Sequence, residues 1–384
     1  MVLTVSWFSA LLIGLGIKYL LLLLSFSLAT LISLGTIALF LMGFWQQAVL
    51  LFIVALILLP YFRTLIERSM GRSIPWWGWT ISVIVLLTCF ILLGYLDQPA
   101  SVYKSPEVKA RFEEIYNEKM ADWPVPYKDV FVDTRYGRVH VIVSGPDDAP
   151  PMLLLHASAV SSWSWKYNIE GLSKYYKTYA IDQIGDAGKS EYTSLKHVMK
   201  DGRDQAELYT EITEKLGVSS GYVVGASEGG YIATNYALYA PERVKKLVLL
   251  GPMGYSGASR SVLRIMLAQF FPLKPIQKST FRWSFGDDSK LEDDFYDWFH
   301  LLMSGYNPVK VAPLPFSAEE RENLSVPALF VFGQNDNLVG NPGKAQMLVH
   351  DIPDVQVRTI DAGHLMSAEQ PEKVDNLIVN FCRE

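Results

Sequence analysis

A serine, an aspartate and a histidine that could together activate an oxygen nucleophile stand in this chain just beyond three strand-like segments. Gly221-Tyr222-Val223-Val224 reads as a strand and runs through Gly225-Ala226-Ser227-Glu228-Gly229-Gly230 into a helical stretch. A Gly-x-Ser-x-Gly pattern between strand and helix predicts a sharp turn that projects Ser227 at a helix N-terminus, where free N–H groups favour negative charge. A serine hydroxyl is a weak nucleophile, so it needs a base, a group that orients the base, and donors for the oxyanion. Asp336 lies just past the apolar run Leu329-Phe330-Val331-Phe332, and His364 just past the run that ends at Ile360. Open parallel sheets assemble their sites at strand ends. His364 is therefore the predicted base toward Ser227, and Asp336 the carboxylate that fixes its tautomer. An aspartate after a strand is by itself more often a turn cap; the order Ser, Asp, His, each after a strand, favours the triad.

These residues need a scaffold, and the sequence from Tyr127 onward alternates strand-like and helix-like segments. Val130–Thr134 and Arg138–Val143 suggest a hairpin, and Met152–Leu155 is an apolar run suited to a strand buried on both faces. A helix near Ile169–Tyr175, a strand Thr178–Ile181, a helix Gln205–Leu216, the elbow, a helix Gly229–Tyr239 and a strand Lys246–Leu250 follow. The pattern resumes with a strand Ala328–Phe332, a helix near Lys344–His350, a strand Val355–Ile360 and a closing helix from Glu372. Such alternation predicts an α/β fold, a mostly parallel sheet flanked by helices. Before it, Ser105-Pro106-Glu107 reads as a helix start, and Val108, Phe112, Ile115, Tyr116 and Met120 recur on one helical face.

From about Tyr127 to the end, about two thirds of the 384 residues, the chain resembles the α/β-hydrolase family in its esterase-like, cofactor-free branch. Beyond the Ser227, Asp336 and His364 pattern, the resemblance rests on Leu154-Leu155-His156 followed by Trp163, on the Asp182–Ser190 stretch, and on Pro241-Glu242-Arg243-Val244. It implies an oxyanion hole made by the backbone N–H groups of Ser158 and Glu228, a structural role for His156, and a helical cap over about residues 252–324. Ala157 departs from the family's His-Gly step and adds a Cβ beside the hole. The serine at the elbow argues against haloalkane dehalogenases and epoxide hydrolases, which resemble this fold but carry Asp there.

The first hundred residues need a different solvent. Between Met1 and Phe62 the only charge is Lys18, and Ser73–Leu96 carries none. About 20 apolar residues cross the ~30 Å hydrocarbon core. Tyr19–Leu41, Trp45–Phe62 and Trp76–Leu96 are read as spans; Leu3–Ile17 is shorter and reads as an extension of the first or a fourth span. The N-terminus lacks the basic region of a signal peptide. Arg63, Arg68 and Arg72 sit between two spans, which by the positive-inside rule puts that loop in the cytoplasm and the later domain on the outer face of the cell membrane. The expected organisation is a multi-pass region 1–97, an amphipathic helix and linker 98–126, and the hydrolase domain 127–384.

Composition narrows the partners. A net charge of −5 without a polybasic run excludes the electrostatic footprint of a nucleic-acid binder. Two cysteines, Cys89 and Cys382, are too few for a zinc site, and His140, His197, His300 and His350 show no metal-ligand spacing. No metal or cofactor is expected. Asp186-Ala187-Gly188-Lys189-Ser190 fails as a phosphate loop because the spacing would require glycine at Gln183. The cap segment is rich in aromatic residues, including Phe270, Phe271, Phe281, Trp283, Phe285, Phe295, Tyr296, Trp298 and Phe299. Most such residues hold a cap together, but a lid this apolar favours a hydrophobic or lipid-like ester. The expected function is a membrane-anchored carboxylesterase or lipase-like enzyme. The alternative is a membrane receptor that uses the pocket to bind a small signal; a transporter is disfavoured, since the spans hold no acidic residue.

Overall fold

Alternating burial along the strands explains the architecture. In the strand Val244–Leu250, Leu247 and Leu249 pack into one apolar cluster while Val248 and Leu250 pack into another; in Ala328–Gly333, Phe330 and Phe332 join the first cluster while Leu329 and Val331 join the second. Successive side chains of a strand point to opposite faces, so a sheet with apolar residues at every position must be covered on both sides. The computed structural model describes residues 101–194, 197–255, 273–285, 293–338 and 342–384, which lie within a compact unit, Pro99–Glu384.

The sheet comprises β1 (Tyr127–Asp133), β2 (Gly137–Ser144), β3 (Pro151–Leu155), β4 (Lys177–Ile181), β5 (Glu191–Tyr192), β6 (Gly221–Ala226), β7 (Val244–Leu250), β8 (Ala328–Gly333) and β9 (Val355–Ile360). Its order is β1-β2-β4-β3-β6-β7-β8-β9, with β5 beside β2. The pairs from β4 through β9 are parallel; β1·β2 and β2·β4 are antiparallel, as the expected hairpin requires.

The helices are α1 (Pro106–Ala121), α2 (Ile169–Leu172), α3 (Gly202–Lys215), α4 (Glu228–Tyr239), α5 (Lys274–Phe285), α6 (Asp293–Gly305), α7 (Ala318–Glu322), α8 (Pro342–Val349), α9 (Met366–Glu369) and α10 (Pro371–Arg383). Buried residues of α3 and α4, such as Tyr209, Ile212 and Tyr236, fill one face of the sheet; those of α1 and α10, such as Phe112 and Ile378, fill the other. Helix α1 begins as its sequence dictates: Ser105 Oγ accepts from Val108 N–H at 3.3 Å, and Pro106 occupies the first helical position. The helix expected over Ile169–Tyr175 is shorter, because after Leu172 the chain turns through Ser173–Tyr176 to enter β4.

Between β7 and β8 the regular alternation gives way to α5, α6 and α7, the helical insertion expected there. The predicted membrane spans lie outside the described residues; among the described residues no helix is long and apolar enough to cross a membrane.

Candidate active site

The turn from β6 into α4 shows why the sequence reads Gly-x-Ser-x-Gly. Ser227 has φ 51° and ψ −112°, a left-handed conformation that costs a non-glycine residue on the order of 1–3 kcal/mol unless its surroundings enforce it. They do: Ser227 N–H donates to Leu250 O at 2.9 Å, and its carbonyl accepts from Gly230 N–H and Met253 N–H, both at 3.0 Å. A Cβ on Gly225 would lie 2.3 Å from Gly229 O, and one on Gly229 would lie 2.2 Å from Leu155 O. Both are closer than atoms can approach, so glycine at these positions is what lets α4 press against β3 and β6.

Asp336 and His364 meet as the sequence order implied. Asp336 follows β8, His364 follows β9, and Asp336 Oδ2 lies 2.7 Å from His364 Nδ1. Asp336 Oδ1 accepts from Leu338 N–H at 2.9 Å, which fixes the carboxylate plane. The two loops are joined by Asn335 N–H to Ala362 O at 3.0 Å, and Gly363 N–H donates to the Glu369 carboxylate at 2.7 Å. Ser227, Asp336 and His364 are all buried. They converge on the end of β7: Ser227 is bonded to Leu250, and a Cβ on the next residue, Gly251, would stand 3.2 Å from Asp336 Oδ2 and 3.4 Å from His364 Nδ1.

The loop after β3 lies against the start of α4, where a Cβ on Gly229 would meet Leu155 O and His156 O. Here Ala159 (φ 62°) and Ser161 (φ 60°) complete, with Ser227, the non-glycine residues of positive φ among the described residues. Ala157 is not one of them, so its Cβ imposes no left-handed strain. His156 is structural, as the resemblance implied: its Nε2 accepts from Gln183 N–H at 3.0 Å and its Nδ1 lies 2.7 Å from Ala157 O. Asp186 holds the strained part, accepting from Ala159 N–H at 3.2 Å, from Ala187 N–H at 2.6 Å and from the Tyr306 hydroxyl. From α6, Trp298 Nε1–H donates to Ala159 O at 3.0 Å.

Sequence reasoning missed Lys310. Its ammonium donates to Ser158 Oγ at 2.6 Å, to Asp186 Oδ2 at 3.0 Å and to Glu228 Oε2. Burial alone would lower its pKa, but the charges of Asp186 and Glu228 outweigh that and hold it above the ordinary lysine value. The only signal in the chain was a lysine set between Val309 and Val311.

A second buried ionic group also went unassigned. His140 Nδ1 lies 2.8 Å from Asp182 Oδ2 and its Nε2 lies 2.7 Å from Asp129 Oδ1, while Tyr116 of α1 donates its hydroxyl to Asp182 Oδ2 at 3.0 Å. Burial works to raise the Asp182 carboxyl, but the hydrogen bond and charge of His140 prevail and hold it well below the usual carboxylate range. This group ties α1 and β2 to the loop after β4; with both ring nitrogens on carboxylates, His140 is built for structure.

Three comparisons bear on this arrangement. A family model described as alpha/beta hydrolase fold matches residues 150–274. The Bacillus subtilis (strain 168) protein named uncharacterized carboxylesterase nap is 31% identical over 280 residues, covering 71% of this chain and 92% of that protein. Carboxylesterase YbfK of the same organism is 29% identical over 292 residues, with 74% and 97% covered. The crystal structure of naproxen esterase (carboxylesterase NP) from Bacillus subtilis superposes with a TM-score of 0.67 at 30% identity, covering 72% of this chain and 99% of its own.

Proposed function

We infer that this chain, which belongs to the alpha/beta hydrolase fold family and is a hydrolase of the carboxylesterase kind, cleaves its ester at Ser227 by acyl transfer. The observation that carries the reading is the buried Asp336–His364 pair at 2.7 Å, set at the end of the strand to which Ser227 is bonded. His364 takes the Ser227 Oγ proton as the oxygen attacks the carbonyl carbon, and Asp336 holds the ring and stabilises the imidazolium. The N–H groups of Ser158 and Glu228 receive the oxyanion. Collapse expels the alcohol with the proton from His364; water, deprotonated by the same histidine, then attacks the acyl-serine, and the ester bond to Ser227 Oγ breaks as His364 returns the proton to that oxygen and the acid leaves.

The preferred substrate is a hydrophobic ester. The aromatic richness of the insertion sequence supports this, and so does the likeness to a protein named naproxen esterase. A series of p-nitrophenyl esters of increasing acyl length, together with a naproxen ester, tests it. The reading predicts kcat/KM rising with acyl hydrophobicity, and a preference for acetate over all longer or aromatic acyl groups would overturn it.

The reading also anchors the enzyme in the cell membrane through residues 1–97, with the hydrolase domain on the outer face; the support is the near absence of charge before Phe62 and the arginines at 63, 68 and 72. Expression in cells should leave activity in the carbonate-washed membrane fraction and accessible to protease added outside. Activity released by carbonate, or protected from the protease, would contradict that placement.

A further inference from the structure

We propose that Lys310 is the positioning residue that sets the oxyanion hole, because one ammonium clasps the side chains of both residues whose backbone N–H groups form it. The inference rests on the reading of Ser158 and Glu228 as the donors of that hole. Ser158 belongs to the loop after β3 and Glu228 to the first turn of α4, so no covalent path of short length fixes the distance between their N–H groups. That distance decides the chemistry, since donors stabilise an oxyanion only when aimed at the place where charge develops. Lys310 spans the gap, with Ser158 Oγ at 2.6 Å on one side and Glu228 Oε2 on the other.

The third contact, Asp186 Oδ2 at 3.0 Å, prevents the clasp from drifting as a unit. Asp186 also receives Ala159 N–H, the residue after Ser158, so the strained loop and the ammonium share one carboxylate. A lysine has three donors, and here three acceptors surround it. Exposed ion pairs contribute little, but the side chains of this one are mostly out of water, with 14% of Lys310, 0% of Asp186 and 4% of Glu228 accessible. Lys310 also neutralises carboxylate charge that would otherwise face the forming oxyanion. It touches no reacting atom, and so acts through the two donors it holds.

The test compares Lys310→Met, Ser158→Ala and Glu228→Gln with the parent in the full chain. The measurements are kcat, KM and inhibition by a trifluoromethyl ketone, which forms a tetrahedral oxyanion on the serine. Ser158→Ala removes a contact of the clasp while keeping the backbone donor, and Glu228→Gln keeps an acceptor, so the question survives if Lys310→Met fails to fold. Displaced donors cost about 10²-fold, so Lys310→Met should lower kcat and weaken the ketone by that factor. KM should stay within about threefold, as expected for an interaction made only in the transition state. Ser158→Ala and Glu228→Gln, which remove one contact and one charge of the clasp, should follow in the same direction to a smaller degree. Folded variants whose kcat and ketone affinity match the parent, or whose KM and ketone affinity weaken by one common factor, would overturn the inference. If the parent itself neither turns over ester nor binds the ketone, the assignment of Ser227 falls first, and that outcome is distinct.

Discussion

At the scale of single residues the site is a place where strain is concentrated. Ser227, Ala159 and Ser161 hold left-handed backbone without being glycine, and they lie in the turn after β6 and the loop after the neighbouring strand β3. Glycine also stands where a Cβ would crowd the Asp336–His364 pair, at Gly251. It has φ 51°, and its Cβ would sit 3.2 Å from Asp336 Oδ2. Gly251→Ala should therefore push the Asp336–His364 pair and lower kcat by about 10²-fold while leaving KM nearly unchanged; steady-state kinetics on a purified, folded variant checks this, and an unchanged kcat would show that the pair tolerates the methyl. Ser227, Asp336 and His364 could be picked out because each follows an apolar strand within a few residues, and the last two meet at 2.7 Å. Lys310 was not, since its partners Ser158, Asp186 and Glu228 are 82 to 152 positions away and nothing local marks a lysine that will be buried.

Elements were legible wherever periodicity met a cap or a turn. Helix α1 could be read from Ser105-Pro106 and its apolar face, and its packing follows: Phe112 is fully buried, with its ring centroid 4.4 Å from that of Trp298 in α6. What the sequence could not reveal is that α1 and the segment before it also reach the loop after β4, through Tyr116 of α1 to Asp182 and through Tyr103, ahead of the helix, to Gly188 O at 3.0 Å. Phe112→Ala should cost about 3–5 kcal/mol by opening a cavity between α1 and α6; urea unfolding followed by fluorescence measures it, and a loss under about 1 kcal/mol would mean that α1 is dispensable to the fold. Helix α10 carries a pH-dependent cost. Burial pushes the Asp375 carboxyl up to about 7, against a hydrogen bond from Asn168 Nδ2 at 2.8 Å that favours ionisation. A carboxyl whose folded pKa exceeds its unfolded value binds more protons when folded, so stability falls as pH rises from about 4 toward 7 and then levels. Asp375→Asn removes that penalty: its Tm should exceed the parent's by more at about pH 8 than at about pH 5, and a difference independent of pH would refute the assignment.

The whole molecule joins two kinds of sequence, one nearly devoid of charge up to Leu96 apart from a loop of arginines, the other a mixed-charge α/β domain. The mostly parallel sheet was legible because strand-like and helix-like segments alternate, whereas the order of its strands was not. The contacts of Lys310 with Ser158, Asp186 and Glu228 were not legible either, because they depend on how the segment after α6 settles on the loop following β3 and the start of α4. On the proposed function, such a molecule brings Ser227 as an activated nucleophile to esters that partition into a bilayer. The most direct test of that serine is labelling of the detergent-solubilised full chain with a fluorophosphonate, comparing the parent with Ser227→Ala and His364→Ala. The account predicts strong labelling of the parent, none of Ser227→Ala, and a loss of about 10³-fold or more in the rate for His364→Ala. A folded parent that does not label, or a Ser227→Ala variant that does, would contradict it and favour a pocket that binds a small molecule without turning it over.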